Sequence, residues 1–223
     1  MQYRHEWKTE ITALDRELLR ARLDAVLQRD PHTGPDGCYF IRSLYFDNRE
    51  DTALREKLDG VNIRDKFRIR YYNLDTSRIT LELKHKENSL GYKLSERLSI
   101  GQTESILRGD TDWLCASEKP LLRRLGESML HGGYRPACIV DYMREPFIYP
   151  AGNVRVTLDY DIRTGLRSTG FLDPGCVTVP VGPVCLLEVK YDNYLPDLVR
   201  DIVQLGWRRS AAFSKYAACR MLD

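Results

Sequence analysis

The sequence lacks several features that would assign it to a common class of protein. Its 34 Lys and Arg residues are nearly balanced by 32 Asp and Glu residues, which gives a formal net charge of +2. As a total, this charge excludes a strongly basic nucleic-acid-binding protein and an acidic tail protein. No apolar run approaches the ~20 residues that span a bilayer, and the charged N-terminus has no apolar segment of signal-peptide length. We therefore expect a cytoplasmic protein without a membrane segment of its own, which leaves a membrane-bound partner open.

Familiar motifs for metals and nucleotides are also missing. The six cysteines are scattered singly, without the close pairs of zinc knuckles or thioredoxin-like motifs. The four histidines show no HExxH spacing, and no P-loop pattern surrounds the pair Gly132-Gly133. These absences argue against zinc-dependent hydrolysis and predict that the cysteines are small buried hydrophobic residues.

Apolar and polar residues alternate along much of the chain, and this period of two is typical of β-strands. After a short N-terminal strand, further strands are predicted at 38–47, 64–73, 78–86, 91–100, 138–145, 154–161, 177–180 and 185–192. Apolar residues at helical spacing predict helices at 12–29, about 102–109, about 118–130 and 196–205. No linker or repeat divides the sequence, so we expect one domain, 1–223. The predicted fold is α+β, with a large antiparallel sheet or closed β-barrel and flanking helices.

The predicted strands carry charged residues on one face and apolar residues on the other. In the strand at 64–73, Arg68 and Arg70 lie opposite Phe67 and Ile69. A face turned to water explains any single strand, but these polar faces are rich in Arg, whose planar fork suits bidentate contacts with phosphate. If the sheet closes into a barrel, the polar faces line its interior, and so many cations need a compensating polyanion. A phosphate chain is such a polyanion.

Carboxylates on the same faces are candidate metal ligands. Their hard oxygen atoms suit Mg²⁺ or Mn²⁺ ions that bridge phosphate groups. The candidates are Glu82, Asp159 and Glu188. The strand pattern therefore supports the hypothesis of a phosphate tunnel that contains a divalent metal.

Several short blocks of sequence are ordered along nearly the whole chain: RHEWK (4–8), SLYFDN (43–48), FRIRYY (67–72), LELKHK (81–86), YKLSER (92–97), DYMREPF (141–147), VRVTLD (154–159), LLEVKY (186–191) and FSKY (213–216). Together they resemble the VTC (vacuolar transporter chaperone) polyphosphate polymerase domain, which belongs to the CYTH-like triphosphate tunnel metalloenzymes. Each block alone is weak evidence, but the ordered set is specific. The resemblance implies a closed antiparallel β-tunnel that binds polyphosphate and a divalent metal. It also implies transfer of the ATP γ-phosphate to a growing polyphosphate chain, with release of ADP.

The resemblance and the strand faces together nominate the site residues. Those expected to hold the donor and acceptor phosphates in line, or to assist transfer, are Arg68, Arg70, Lys84, Arg144, Arg155 and Lys215. Those expected to bind substrate are Lys8, Lys86, Lys93, Arg97, Tyr142, Lys190 and Ser214. Glu188 is implied as the metal-holding carboxylate, with Glu82 and Asp159 as further candidates. The expected partners are ATP and inorganic polyphosphate, with no nucleic acid.

One position departs from the wider superfamily. The broader tunnel enzymes begin with an ExExK motif, and Arg4 occupies its first acidic position here. This departure resembles the VTC branch more than the triphosphatase branch, and it leaves fewer carboxylates for a second metal. Three alternatives to a polymerase stay open: an inorganic triphosphatase or polyphosphatase, a non-catalytic polyphosphate-binding module, and an oligomerising scaffold with solvated charged sheets. The oligomeric state stays open as well.

Overall fold

The computed structural model describes residues 3–87, 90–206 and 213–222, which form a curled antiparallel sheet surrounded by helices. Strands β1 to β10 span His5–Ile11, Gln28–Arg29, Tyr39–Asp47, Arg64–Tyr72, Asp75–Glu87, Leu90–Leu98, Arg135–Tyr149, Val154–Thr164, Val179–Pro180 and Cys185–Tyr191. Helices α1 to α7 span Ala13–Val26, Thr52–Leu58, Ile100–Arg108, Asp112–Cys115, Pro120–Gly132, Asp197–Ile202 and Lys215–Arg220. The prediction of an α+β fold with flanking helices is confirmed.

The long strands form the wall of a barrel in the order β1-β10-β8-β7-β3-β4-β5-β6, and each neighbouring pair is antiparallel. The sheet curls until its edge strands, β1 and β6, meet at a seam. There the Arg4 backbone N–H donates to the Gly91 carbonyl over 3.3 Å, and the rings of Tyr3 and Tyr92 pack edge to face. In the described residues, the barrel is thus closed by one isolated bridge rather than by a continuous ladder.

Two apolar layers cover the outer face of the sheet. The first packs α3, α4 and α5 against outward residues of β3 to β6, including Phe67, Ile69 and Leu81. The second packs α1 and α6 against outward residues of β1, β8 and β10, including Val156 and Leu158. Full burial of one such side chain stabilises the fold by about 1.5–3 kcal/mol. The helices therefore fix which face of each strand turns outward, as the alternation predicts.

Local capping signals set where the helices begin. The Thr12 hydroxyl accepts a hydrogen bond from the Asp15 N–H at 3.1 Å, and the Asp15 carboxylate accepts one from the Thr12 N–H at 2.9 Å. This reciprocal pair starts α1. Ser99 and Gln102 make the same pair at the start of α3. For this reason β6 ends at Leu98 and not at residue 100, where the alternation alone placed its end.

Some of the predicted elements have different limits, and four were missed, namely strand β2 and helices α2, α4 and α7. The helix predicted at 12–29 ends at Val26, because Gln28 and Arg29 pair with β7 as strand β2. The strand predicted at 177–180 is reduced to its last two residues, and the helix predicted at 196–205 covers only Asp197–Ile202. Helices α2 and α4 were not predicted, since each is too short to establish a helical period. Among the described helices, none has both the length and the apolar character that crossing a bilayer requires.

The C-terminal helix α7 packs against the concave side of the sheet rather than outside it. Tyr216 of α7 stacks on Tyr45 of β3, with ring centroids 5.0 Å apart, in a third apolar cluster lined by β3, β7 and β8. Asp47 fixes this arrangement: its Oδ1 accepts the Ala53 N–H of α2 (2.9 Å), and its Oδ2 accepts the Tyr216 hydroxyl (2.5 Å). One buried carboxylate thus links α2 and α7, and α7 fills part of the barrel interior.

Gly126 offers a direct test of the outer helical layer. A Cβ atom there would lie 2.7 Å from the Leu114 Cβ and 2.9 Å from the Cys115 backbone N. We expect Gly126→Ala to lower the free energy of unfolding by about 1–3 kcal/mol, because α4 must move away from α5. The control is Gly101→Ala in α3, where no atom lies within 4 Å of the added Cβ. Equal denaturation midpoints for the two variants would contradict this packing.

Candidate functional site

The barrel interior is strongly polar on the side that α7 leaves open. The side chains that alternate with the outer apolar residues of β4 turn inward, where Arg68 donates to Tyr45 of the neighbouring strand β3 and Arg70 donates to Tyr142 of β7. Inward residues of β1, β5, β8 and β10 continue this lining with lysines, arginines and a few carboxylates. The interior is therefore a charged channel, as the polar strand faces predicted.

Glu188 of β10 is the carboxylate with the most cationic neighbours. Its oxygen atoms lie 2.9 Å from the Lys215 Nζ, 3.1 Å from the Lys8 Nζ, 3.4 Å from the Lys190 Nζ and 3.5 Å from Arg144. Burial alone would raise the pKa of Glu188, but these cations, Lys215 foremost, hold its pKa well below the usual value. Glu188 is therefore a fixed anion.

Asp159 of β8 lies beside Glu188 and contacts two of the same cations. The Arg144 guanidinium makes a bidentate contact with it, with both N–O distances at 2.6 Å, and the Lys215 Nζ lies 2.5 Å from its Oδ2. Lys215 thus bridges Asp159 and Glu188. Burial opposes the charge of Lys215, but the two carboxylates outweigh it and raise the pKa of the ammonium. Both partners stay ionised, and the bridge ties α7 to the barrel wall.

A second buried carboxylate, Glu82 of β5, organises another part of the interior. It accepts from Arg68 at 2.6 Å and from Lys93 at 2.7 Å, while Arg70 lies 3.8 Å away. The first effect of burial is to raise the pKa of Glu82, but Arg68, Arg70 and Lys93 bring it well below its usual value. The main hydrogen-bond partners of Arg70 are neutral, namely Ser43 (2.8 Å) and Tyr142 (3.0 Å). Arg70 therefore retains charge that a bound anion could use.

Two acidic residues were missed by the sequence reasoning. Glu6 of β1 lies 2.8 Å from the Lys84 Nζ and 3.4 Å from the Lys190 Nζ. Asp30 accepts from Arg155 at 2.8 Å, and the Tyr39 hydroxyl accepts from the same guanidinium at 2.6 Å. The alternation along β1 could have identified Glu6, since it lies on the same strand face as Lys8. The alternation of a strand could not identify Asp30, because this residue lies in the loop that follows β2.

Most of the nominated residues meet in this interior, but three have a different setting. Arg97 lies exposed on the edge strand β6, where its guanidinium donates to the Ser77 carbonyl at 3.2 Å. The Ser214 hydroxyl caps α7 by accepting the Ala217 N–H at 3.3 Å. Lys86 lies half-buried opposite Arg64 and not among the carboxylates. The alternation along a strand predicts on which face of the sheet a residue lies. Its position along the barrel follows only from the tertiary structure.

The interior also contains cations that were not nominated. Lys66 of β4 follows the same alternation as Arg68 and Arg70, and its Nζ lies 5.3 Å from the centre of the Tyr216 ring. Burial, with Lys57 and Arg64 as the next contributors, lowers the pKa of Lys66 to about 7. Extending the polar face of FRIRYY by two inward positions toward the N-terminus would have found Lys66 and then Arg64.

The carboxylates fit a divalent metal only in part. In residues 3–87, 90–206 and 213–222, no three His, Cys, Asp or Glu residues form a group that could hold a metal ion. Glu188 and Asp159 share the contact with Lys215, whereas Glu82 is engaged with Arg68 and Lys93 on other strands. Mg²⁺ is commonly bound through one or two carboxylates together with phosphate oxygens. The Glu188–Asp159 pair suits that mode, and a site made of protein ligands alone does not exist in these residues.

Lys66 leads to a prediction for the pH dependence of stability. Its pKa is about 7 in the folded protein and 10.5 is its usual value, so between these limits the unfolded chain binds more protons and stability rises with pH. We expect the ligand-free protein to gain stability between about pH 7.5 and 9.5, and Lys66→Gln to reduce the slope by about 1 kcal/mol per pH unit. Denaturant titrations at several pH values measure this difference. The exposed Lys119→Gln is the control, and an unchanged slope in Lys66→Gln would contradict the assignment.

Comparisons with known proteins give one family. The profile of the VTC domain matches residues 3–222. No curated protein matches the sequence. Solved structures with a similar fold include a "putative adenylate cyclase" from Bacillus halodurans (14% identity, 85% of this chain and 82% of that one, TM-score 0.46). They also include the Mediator head module of Schizosaccharomyces pombe (8% identity, 90% and 89%, TM-score 0.49).

A third similar structure is a conserved hypothetical protein from Pyrococcus furiosus (12% identity, 90% of this chain and 85% of that one, TM-score 0.44). At TM-scores below 0.5 these likenesses carry no argument about function. The family profile is different, because it spans the described barrel from β1 to α7 and every charged strand face within it. The resemblance seen in the sequence is confirmed: the chain belongs to the VTC domain family.

Proposed function

We propose that this protein is a polyphosphate polymerase that transfers the γ-phosphate of ATP to a growing polyphosphate chain inside the barrel. The observation that carries the proposal is the composition of the interior, where cations clearly outnumber carboxylates. The inward cations are Lys8, Arg64, Lys66, Arg68, Arg70, Lys84, Lys86, Lys93, Arg144, Arg155, Lys190 and Lys215, and the carboxylates are Glu6, Asp30, Asp47, Glu82, Asp159 and Glu188. Buried cations in excess call for a bound polyanion.

Positioning of the phosphates follows from the ion pairs. Arg68 and Arg144 are held by bidentate or close contacts with Glu82 and Asp159, which fix the planes of their guanidinium groups. Arg70 is fixed by two hydroxyl groups and brings a charge that these partners do not neutralise. Preorganised cations of this kind stabilise the charge that develops during phosphoryl transfer, without reorganisation at the moment of reaction.

The state of the carboxylates favours transfer to phosphate over transfer to water. Burial raises the pKa values of Glu6, Glu82 and Glu188, but the neighbouring cations bring each of them well below its usual value. Carboxylates of such low pKa are poor general bases, and hydrolysis needs a base that activates water. A terminal phosphate oxygen of polyphosphate is already anionic and needs none. It attacks the γ-phosphorus, the bond between that atom and the β,γ-bridging oxygen breaks, and ADP leaves with the bridging oxygen.

A divalent metal belongs to this proposal. When bound, Mg²⁺ or Mn²⁺ supplies charge neutralisation between the β- and γ-phosphates. Glu188 is the residue that would hold it, with Asp159 beside it, and Lys215 would have to share both carboxylates with the ion. Because ATP is the donor, the cytoplasm is the compartment in which we expect the reaction.

The test is a polymerisation assay with the purified protein, ATP and Mn²⁺. We expect polyphosphate on a gel together with ADP. Arg70→Gln should lower the rate of ADP release by about 10²–10³-fold, the scale of losing one preorganised charge stabiliser, while the melting temperature stays close to wild type. The matched control is Arg200→Gln, which removes an exposed guanidinium on α6 that pairs with Asp197.

Other products identify the other candidate functions. Phosphate released from tripolyphosphate without polymer would show a triphosphatase and contradict the proposal. Tight polyphosphate binding without ADP release would show a binding module and would contradict it as well. If polyphosphate does not raise the melting temperature at all, the interior does not bind a polyanion, and a charged scaffold is the better description.

A further inference from the structure

We infer that one end of the barrel contains a second anion-binding site, formed by Lys57, Arg64, Lys66 and Lys86, which holds the polyphosphate chain beyond the reacting phosphates. This mouth cluster, as we call these four residues, rests on the proposed function for the identity of its ligand. It is separate from the ion pairs around Glu188, Asp159 and Glu82, and its residues come from α2, β4 and β5.

The strand register brings cations directly opposite one another at this end. Arg64 of β4 pairs with Lys86 of β5. In the next rung, Lys66 pairs with Lys84, which in turn pairs with Lys93 of β6. Like charges directly opposite on neighbouring strands destabilise a sheet. Two successive rungs of cations are therefore a cost to the ligand-free fold, and an anion between them would remove that cost.

The cations of these rungs differ in their partners. Lys84 reaches Glu6 at 2.8 Å, and Lys93 reaches Glu82 at 2.7 Å. In the described part of the chain, no carboxylate lies within ion-pair distance of the mouth cluster. Asp65 lies between Arg64 and Lys66 in sequence, but it turns to the outer face, where it contacts His85 at 2.7 Å and also Arg124. Carboxylates thus form close ion pairs with the cations at the centre of the channel. At its mouth, Glu56 acts on Arg64 and Lys66, and Glu6 acts on Lys86, only from beyond ion-pair distance.

Burial makes this excess charge significant. Lys57, Arg64, Lys66 and Lys86 are all half-buried, so water screens them less than it would screen surface residues. Burial lowers the pKa of Lys57 and Lys86, and the neighbouring Arg64 lowers both further. An anion placed here would favour the charged forms of all of them. Binding should therefore take up protons near neutral pH.

The extent of the cluster selects a long ligand. Arg64 and Arg68 lie four residues apart on β4, a distance of about 13 Å at the usual rise of a strand. A single phosphate group cannot span that distance, whereas an extended polyphosphate can reach from the centre, through Lys66, to the mouth. Exposed Leu58, Val61 and Ile63 lie next to the cluster in sequence and would also suit an anionic membrane. The half-buried position of the cations, on inward strand faces, favours the chain.

The experiment compares a long ligand with a short one. The variant Lys57→Gln/Arg64→Gln/Lys66→Gln/Lys86→Gln is titrated with long-chain polyphosphate and with tripolyphosphate at one salt concentration, without ATP. We expect its affinity for the long chain to fall at least ~10-fold, and by a clearly larger factor than its affinity for tripolyphosphate. The control Arg20→Gln/Arg108→Gln/Lys119→Gln/Arg200→Gln removes the same charge from exposed positions and should retain both affinities.

Each result has a defined meaning. Equal losses for both ligands, or no loss for either, would overturn the mouth site. So would a variant that binds long-chain polyphosphate normally but no longer binds vesicles containing anionic phospholipid, since the cluster would then serve a membrane. The melting temperature of the ligand-free variant should rise, because like charges are removed, and Lys66→Gln alone repeats the comparison if the fourfold variant does not fold. Because these titrations contain no ATP, failure of the polymerase assay would not affect them.

Discussion

The structure depends on the requirement that a charge removed from water be compensated. Glu188 and Asp159 lie at the centre of the barrel, where they contact cations from β1, β7, β10 and α7. Breaking such a buried network by removal of one member costs about 3–5 kcal/mol, because the remaining charges lose their partners. The network therefore ties α7 to the barrel wall, reinforces the strand orientation that the outer helices set, and limits what the interior can bind.

Charge compensation is closer at the centre of the barrel, where carboxylates pair with most of the cations, than it is toward the mouth. At the centre, each guanidinium has its plane fixed by a carboxylate or a hydroxyl group, which prepares it for a phosphate without a search through rotamers. Toward the mouth, carboxylates give way to opposed cations. The interior thus presents rigid donors at one place and increasing positive potential along one direction. A net charge of +2 for the whole chain conceals this distribution.

Much of this could be predicted from the sequence, because alternation along a strand is a strong physical signal. The outward set of FRIRYY is buried under helices, and its inward set lines the channel. The failures have physical causes as well. Arg97 has the parity of an inward residue but lies at an exposed edge. The concave position of α7 depends on Asp47, whose partners lie on two helices distant in sequence. Lys66 lies just before the block FRIRYY, although the alternation of that strand extends to it, and Glu6 lies inside RHEWK on the same strand face as Lys8.

The bridge between Arg4 and Gly91 has a topological consequence. A barrel that is closed by a full ladder of hydrogen bonds admits a polymer only through the ends of the barrel. Every phosphate unit must then pass along the channel. In the described residues, the seam is held by one backbone hydrogen bond, one aromatic contact and the ion pair between Glu6 and Lys84. Parting it sideways therefore costs much less than separating a full ladder. A polyphosphate chain whose ends are distant or already bound can then enter the channel sideways, through the seam between β1 and β6. The same barrel is thus compatible with entry and release of the chain through the seam, as well as with threading of a free end along the channel.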